Sequence, residues 1–319
     1  MQSGEWLDAF RDERETVESV VSERAGEIVA CSRIRRVSSI LTGEKCFVDG
    51  GPVFDSDAVF ESHLRELLKS TGDSALLRLR PHLTADEGTV LRAMLADHGF
   101  QFPPASAQSG YALTLVLDLT QPMQSLQAGF SQHLRRSLRR AVRAGLVIER
   151  TTDTAAIADF ARLLARGASK AAYDVPPPER IERFLGAVCR TEPAAGALFC
   201  ARERGALRAG IVVLRAGDSL VFQWGARDDS GEDTAPLTHA LHVEALAWGQ
   251  SLEYRHYDFG GLFSADATNG IDRFKRSFGG RVQAQFGEAV RRRGLRGWVS
   301  AQMVRPRRAS AGVGDAQAT

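Results

Sequence analysis

The sequence predicts an α+β protein made of two tandem domains, each a mixed sheet flanked by helices. Two observations carry that reading. One order of strand and helix signals, βββαβαβ, occurs twice along the 319 residues. Apolar residues make up 44% and charged residues 25%, an ordinary balance for a chain that buries one core in each half.

The first copy begins with short alternating runs at 17–22 and 27–33, closed at Ala25-Gly26 as a hairpin. A third strand at 46–49 ends in Gly50-Gly51-Pro52. A helix is expected over 56–69, and a strand over 75–80 stops at Pro81. Thr84 and Glu87 form a capping-box pattern for a helix reaching His98. Residues 110–119 read as a strand buried on both faces.

The second copy repeats the order. A hairpin of 197–203 and 207–214 turns at Arg204-Gly205, and 220–225 is its third strand. A helix over 236–250, a strand over 255–259, a helix over 270–278 and a strand over 282–286 follow. Three helical segments, 126–144, 154–172 and 178–190, separate the copies. The tail 309–319 is small and polar, a composition of disordered segments.

Several classes of function are excluded or disfavoured. Net charge is only +2, so a nucleic-acid or membrane partner needs a local patch. No apolar run approaches a membrane span, and the first ten residues do not form a signal peptide, so a cytoplasmic location is expected. Cys31, Cys46, Cys189 and Cys200 show no CxxC or Cys/His spacing, so they read as incidental thiols and no metal is expected. Only four of the 41 basic residues are lysines, which makes each lysine a position to question.

Local basic patches do occur. Arg135, Arg136, Arg139, Arg140 and Arg143 fall on one helical face, opposite Leu134, Leu138, Ala141 and Val142. No acidic residue lies between Asp118 and Glu149 to pair with them along the helix. A solvated face and a phosphate-binding face both fit that pattern. A second run, Arg291-Arg292-Arg293 with Arg296, Arg305, Arg307 and Arg308, reads first as a basic tail when taken alone. Together they favour RNA over a membrane surface, because bulky apolar residues do not oppose the arginines.

A βββαβαβ unit resembles the GNAT acetyltransferase fold. The resemblance implies acetyl-CoA held by a glycine-rich loop before a helix, where backbone N–H groups take the pyrophosphate. Neither copy has that loop. Asp228, Asp229, Glu232 and Asp233 crowd the second, and Asp55 and Asp57 the first. Clustered carboxylates repel a pyrophosphate.

Residues 257–287 resemble the Fem family of aminoacyl-tRNA-dependent transferases. The carriers are Tyr257-Asp258-Phe259-Gly260-Gly261, then Gly270 to Phe274-Lys275-Arg276-Ser277-Phe278-Gly279, then Phe286-Gly287. Gly50-Gly51-Pro52-Val53 is similar to the family's Arg-Gly-Pro-Val turn, with Gly50 in place of Arg. The stretch from Arg135 to Gly145 is similar to its basic helix. The resemblance implies two GNAT-like domains, 1–146 completed by about 288–308, and 147–287, without the coiled-coil arm of some members.

It also implies transfer of an amino acid from aminoacyl-tRNA to an amine of a peptide-bearing acceptor. That acceptor is a peptidoglycan precursor or a peptide-type natural product. No cofactor is implied, because the tRNA ester is itself activated, and a monomer is expected. A CoA-dependent N-acyltransferase and a non-catalytic RNA-binding protein are the alternatives.

On this reading Lys275 stabilises the oxyanion formed when the amine attacks the ester, a task suited to a compact ammonium. Phe274 lines the ester or holds a cation, though Phe274 and Phe278 also fit as core residues. Arg135, Arg136, Arg139, Arg140 and Arg143 become the tRNA-binding face. Arg11 near Trp6, Ser169, Lys170, Tyr173, Trp224, Asp258, Gly260 and Gly261 are the substrate-binding candidates. Trp224 also reads as core, Asp258 as a cap, and the two glycines as plain turn residues. Where the family often has Asp-Pro, this chain has Arg80-Pro81, so that general base is missing.

Overall fold

The computed structural model describes residues 15–108, 111–143, 146–171, 175–191, 195–203, 205–228, 235–266 and 269–303. In chain order the first elements are β1 (Glu15–Arg24), β2 (Glu27–Ser39), β3 (Gly43–Asp49), β4 (Val53–Phe54), α1 (Asp57–Ser70), β5 (Leu76–Arg80) and α2 (Thr89–Asp97). There follow β6 (Leu113–Asp118), α3 (Met123–Ala128), α4 (Gln132–Arg143), β7 (Val147–Thr151), α5 (Thr154–Ala171) and α6 (Pro178–Val188). The rest are β8 (Gly196–Glu203), β9 (Ala206–Ala216), β10 (Ser219–Arg227), α7 (Ala235–Ser251), β11 (His256–Leu262), α8 (Gly270–Arg276), β12 (Arg281–Ala284), β13 (Ala289–Arg292) and α9 (Gly294–Met303). Among the described residues no helix is long and apolar enough to cross a membrane.

The chain divides into two compact units. One holds residues 1–113 and 283–309, the other 114–282 and 310–319. The division falls after Leu113, not after 146, so the arginine helix α4 belongs to the second unit.

In the first unit the strand order is β1-β2-β3-β5-β13, with β4 paired to β2. β3 and β5 run parallel, and β13 closes on β5 antiparallel. Ile34, Val48, Phe60, Leu64, Leu77, Leu79, Leu91 and Leu95 form the core, and Phe286 and Ala289 from the C-terminal return complete it. Thr84 and Glu87 make the reciprocal bonds of a capping box, at 3.2 Å from the Glu87 amide to Thr84 Oγ1 and 2.8 Å from the Thr84 amide to Glu87 Oε2. The box closes a turn, and α2 starts only at Thr89.

In the second unit the order is β12-β6-β11-β10-β9-β8-β7. The strand expected to finish the first copy, β6, therefore lies in the second sheet, and β13 takes its place in the first. β7 carries too few apolar residues to be seen in sequence; its pattern is mostly exposed. The single helix expected over 126–144 is two, broken at Gly129-Phe130-Ser131, where Ser131 Oγ accepts from the Leu134 amide at 3.1 Å.

Gly280 enters β12 with φ +89°, and a Cβ there would stand 2.8 Å from the Val116 carbonyl oxygen. Both the backbone angle and the approach to β6 require glycine. Gly280→Ala is therefore expected to lower stability by about 2 kcal/mol or more in urea unfolding. An unchanged midpoint would show that β12 does not close on β6 in this register.

Candidate functional site

The site is built where two parallel strands part. β10 and β11 pair only at Ser219–His256, Leu220–Tyr257 and Val221–Asp258. β10 then continues to Arg227 and β11 to Leu262 without further pairing to each other. A bulge between Phe222 and Trp224 bends β10 at the same level. The result is a fork whose base is lined by Phe222 and Phe259.

α8 places Lys275 at this fork. Asn269 caps the helix by accepting from the Asp272 amide at 2.8 Å. The Asp272 carboxylate, fully buried, accepts from the Phe263 and Ser264 amides at 3.1 and 2.9 Å. That grip fixes the loop after β11 against the first turn of α8. One turn on, Lys275 Nζ donates to the Gly261 carbonyl at 2.7 Å, and the residue is 7% exposed. A Cβ on Gly260, whose φ is +72°, would lie 3.4 Å from the Phe222 carbonyl oxygen and 4.0 Å from Nζ. Glycine at this position lets β11 turn toward the ammonium.

Asp258 is buried and holds the turn: its Oδ1 accepts from Thr114 Oγ1 and, at 2.7 Å, from the Gly260 amide. Phe274 is half-buried, with its ring centre 4.9 Å from His239 and 5.5 Å from both His242 and Phe278. Phe278 is buried against Phe130 and Phe259.

Sequence reading missed His242. Its imidazole is fully buried among Phe222, Phe259, Phe274 and Phe278, and Nδ1 shares a 2.8 Å hydrogen bond with Tyr257 Oη. Among the described residues Nε2 has no hydrogen-bond partner. Burial, then the neighbouring His239 and Lys275, hold His242 well below its ordinary range, so it is neutral. Burial likewise pushes the Tyr257 phenol well above its ordinary value. In sequence His242 is one of several polar residues on a largely apolar helix, a pattern that gives no hint of aromatic neighbours 15 to 36 positions away.

The remaining candidates lie elsewhere or outside the described residues. Trp224 is half-buried edge-on to Phe184 of α6, 5.7 Å between centres. Ser169 is exposed on α5; Lys170 follows it in that helix, with a side chain outside the described set. Arg11, Trp6 and Tyr173 lie outside the described residues, as do Asp229, Glu232 and Asp233 of the acidic loop. Asp228 is described and pairs with Arg208 at 3.2 Å.

All five arginines of α4 are exposed, over a buried face of Leu134, Ser137 and Ala141. Arg135 donates to the Ala128 and Phe130 carbonyls and so caps α3. In the first unit Arg80 pairs with Asp49 at 3.4 Å and Glu288 at 3.9 Å. Burial raises the Asp49 carboxyl, but Arg78, Arg80 and Arg35 outweigh it and hold it below the usual range.

The arrangement offers a buried cation, backbone carbonyls and aromatic walls. Burial pushes the thiols of Cys189 and Cys200 up to about 11 and about 12, so neither is a thiolate nucleophile at neutral pH. Among the described residues no group of three His, Cys, Asp or Glu side chains is set to hold a metal ion.

Residues 128–276 match a family model described as an acetyltransferase (GNAT) domain. The structure superposes on that of FemX with a TM-score of 0.80 at 16% identity, over 95% of this chain and 94% of FemX. The C-terminal domain (DUF2156) of a putative lysylphosphatidylglycerol synthetase from Agrobacterium fabrum gives 0.62 at 16%, over 95% and 91%. A tandem GNAT protein from the clavulanic acid biosynthesis pathway gives 0.51 at 14%, over 91% and 94%. No curated protein matches the chain. The fold is thus a Fem-like tandem GNAT fold of the α+β class.

The buried histidines set a pH dependence. Burial lowers His242 and, in the first unit, His63, which bonds Ser22 and Ser32. Unfolded, both would take a proton near pH 6.5 while the native groups stay neutral. The unfolded state then binds more protons, so stability is full above pH 6.5 and declines as pH falls below it. Urea midpoints from pH 7.5 to 5 are expected to fall, and His242→Phe should flatten the decline. A curve that is flat in the native chain over this range contradicts the assignment.

Proposed function

We propose that this protein transfers an amino acid from aminoacyl-tRNA to an amine of a peptide-bearing acceptor, forming an amide bond. Lys275 carries the reading: a buried ammonium fixed on the Gly261 carbonyl at the open end of a strand fork. An aminoacyl ester needs no metal and no nucleophilic side chain. The amine attacks the carbonyl carbon, the C–O bond to the ribose breaks, and the ribose oxygen leaves with a proton. Between these events negative charge sits on the former carbonyl oxygen. A cation already in place there contributes a few kcal/mol of selective transition-state stabilisation, roughly 2.7–4 for one such donor.

In this reading Asp258, Gly260 and Gly261 shape the fork in which the ester lies, and Phe274 walls it. The exposed arginines of α4 supply the charge that holds the tRNA backbone, with a steep salt dependence. The FemX-like fold supports the reading, as does the acidic residue Asp228 at the start of the loop where a CoA pyrophosphate would need amides. The acceptor amine is deprotonated by solvent or by its own neighbours, since the sequence has Arg80-Pro81 in place of the family's Asp-Pro.

Two observations favour a second reading: the GNAT domain match and the tandem GNAT neighbour are compatible with a CoA-dependent N-acyltransferase. Lys275→Ala is expected to reduce single-turnover amide formation from charged tRNA by about 100-fold or more. A loss within threefold would remove Lys275 from the chemistry. Saturable acetyl-CoA binding by calorimetry, with transfer from it, would replace the tRNA reading by the second one.

A further inference from the structure

A cavity of about 270 Å³ opens on the second unit between α7, the edge strand β7 and its neighbour β8. Its floor is aromatic: Phe199 lies buried beneath Trp248, ring centres 5.8 Å apart and inclined at 66°. Arg150 of β7 is exposed, and its guanidinium carbon lies 5.4 Å from the centre of the Trp248 ring. Glu244 lines the same cavity one turn earlier on α7 and is also exposed. Neither Arg150 nor Glu244 is paired with an opposite charge among the described residues.

We infer that this notch binds an unpaired ribonucleotide, and the inference rests on the tRNA reading above for its source. An aromatic face beside an exposed guanidinium is the pairing that takes a splayed base and its phosphate. A free carboxylate on the rim accepts from the exocyclic amine of a base, which neither a lipid nor a duplex backbone offers. Charge complementarity points the same way. The arginine helix α4 packs against α7 and precedes β7 in the chain, and the Leu146 amide donates to the Ala141 carbonyl. The basic face thus leads by chain connection to Arg150. The notch lies toward the C-terminal half of α7, while His239 and His242 of the site occupy its N-terminal half.

The test uses the full chain at fixed ionic strength, with a short single-stranded RNA and a blunt RNA duplex of the same length as probes. Trp248→Ala and Arg150→Glu are expected to weaken single-strand binding about tenfold, with duplex binding changed less than twofold. Trp248→Phe keeps a stacking face and should retain most of the affinity, which separates loss of stacking from loss of fold. Arg150→Glu changes only an exposed side chain. Equal affinity of wild type and both disruptive variants for the single strand overturns the notch. So does saturable occupation by a free amino acid that displaces no RNA. If transfer from charged tRNA proceeds while the variants bind normally, the notch alone fails. If the variants lose single-strand binding while no charged tRNA supports transfer, the aminoacyl reading alone fails.

Discussion

The parallel pairing of β10 with β11 stops after Val221 and Asp258, and the site depends on where it stops. Past that point each strand keeps its own direction, and backbone groups that a sheet would have used stay available. One of them, the Gly261 carbonyl, takes the Lys275 ammonium. A buried ammonium is costly unless hydrogen-bonded. The Gly261 carbonyl supplies such a bond at 2.7 Å.

The surroundings keep this geometry in place. Asp258 closes the turn from within β11, while Asp272 holds the loop beyond it onto α8. These two carboxylates act on backbone amides, so their charge is spent locally. The aromatic cluster of Phe222, Phe259, Phe274 and Phe278 excludes water from the base of the fork. A lower local dielectric strengthens any interaction between Nζ and a developing oxyanion. His242 sits inside this cluster with Nε2 unpaired among the described residues, a polar choice that packing alone does not require.

Much of this was legible in the sequence, because strongly patterned segments report their own structure. The hairpin at Ala25-Gly26, the α1 and α7 helices and the strand bearing Tyr257-Asp258-Phe259 follow from local periodicity and turn residues. Lys275 stood out through its rarity and its motif. What sequence did not reveal is what depends on distant partners. β6 and β13 exchange sheets because pairing partners are chosen in space, and an apolar run does not say which sheet will cover it. β7 is an edge strand whose exposed residues erase the alternation. The break at Gly129 appears only when Gly279 and Phe278 are seen packed against that turn. Asp272 reads as an ordinary first-turn acid until the Phe263 and Ser264 amides are placed above it.

The proposed transfer from a tRNA ester rests on the fork, the ammonium and the arginine face taken together. The most direct measurement is a mass-spectrometric screen of the purified full chain with each charged tRNA and a panel of amine-bearing peptide acceptors, with acetyl-CoA in parallel. The account predicts a product heavier by one aminoacyl residue, formed only when charged tRNA is present. Transfer supported by acetyl-CoA, with no product from any charged tRNA, would contradict it.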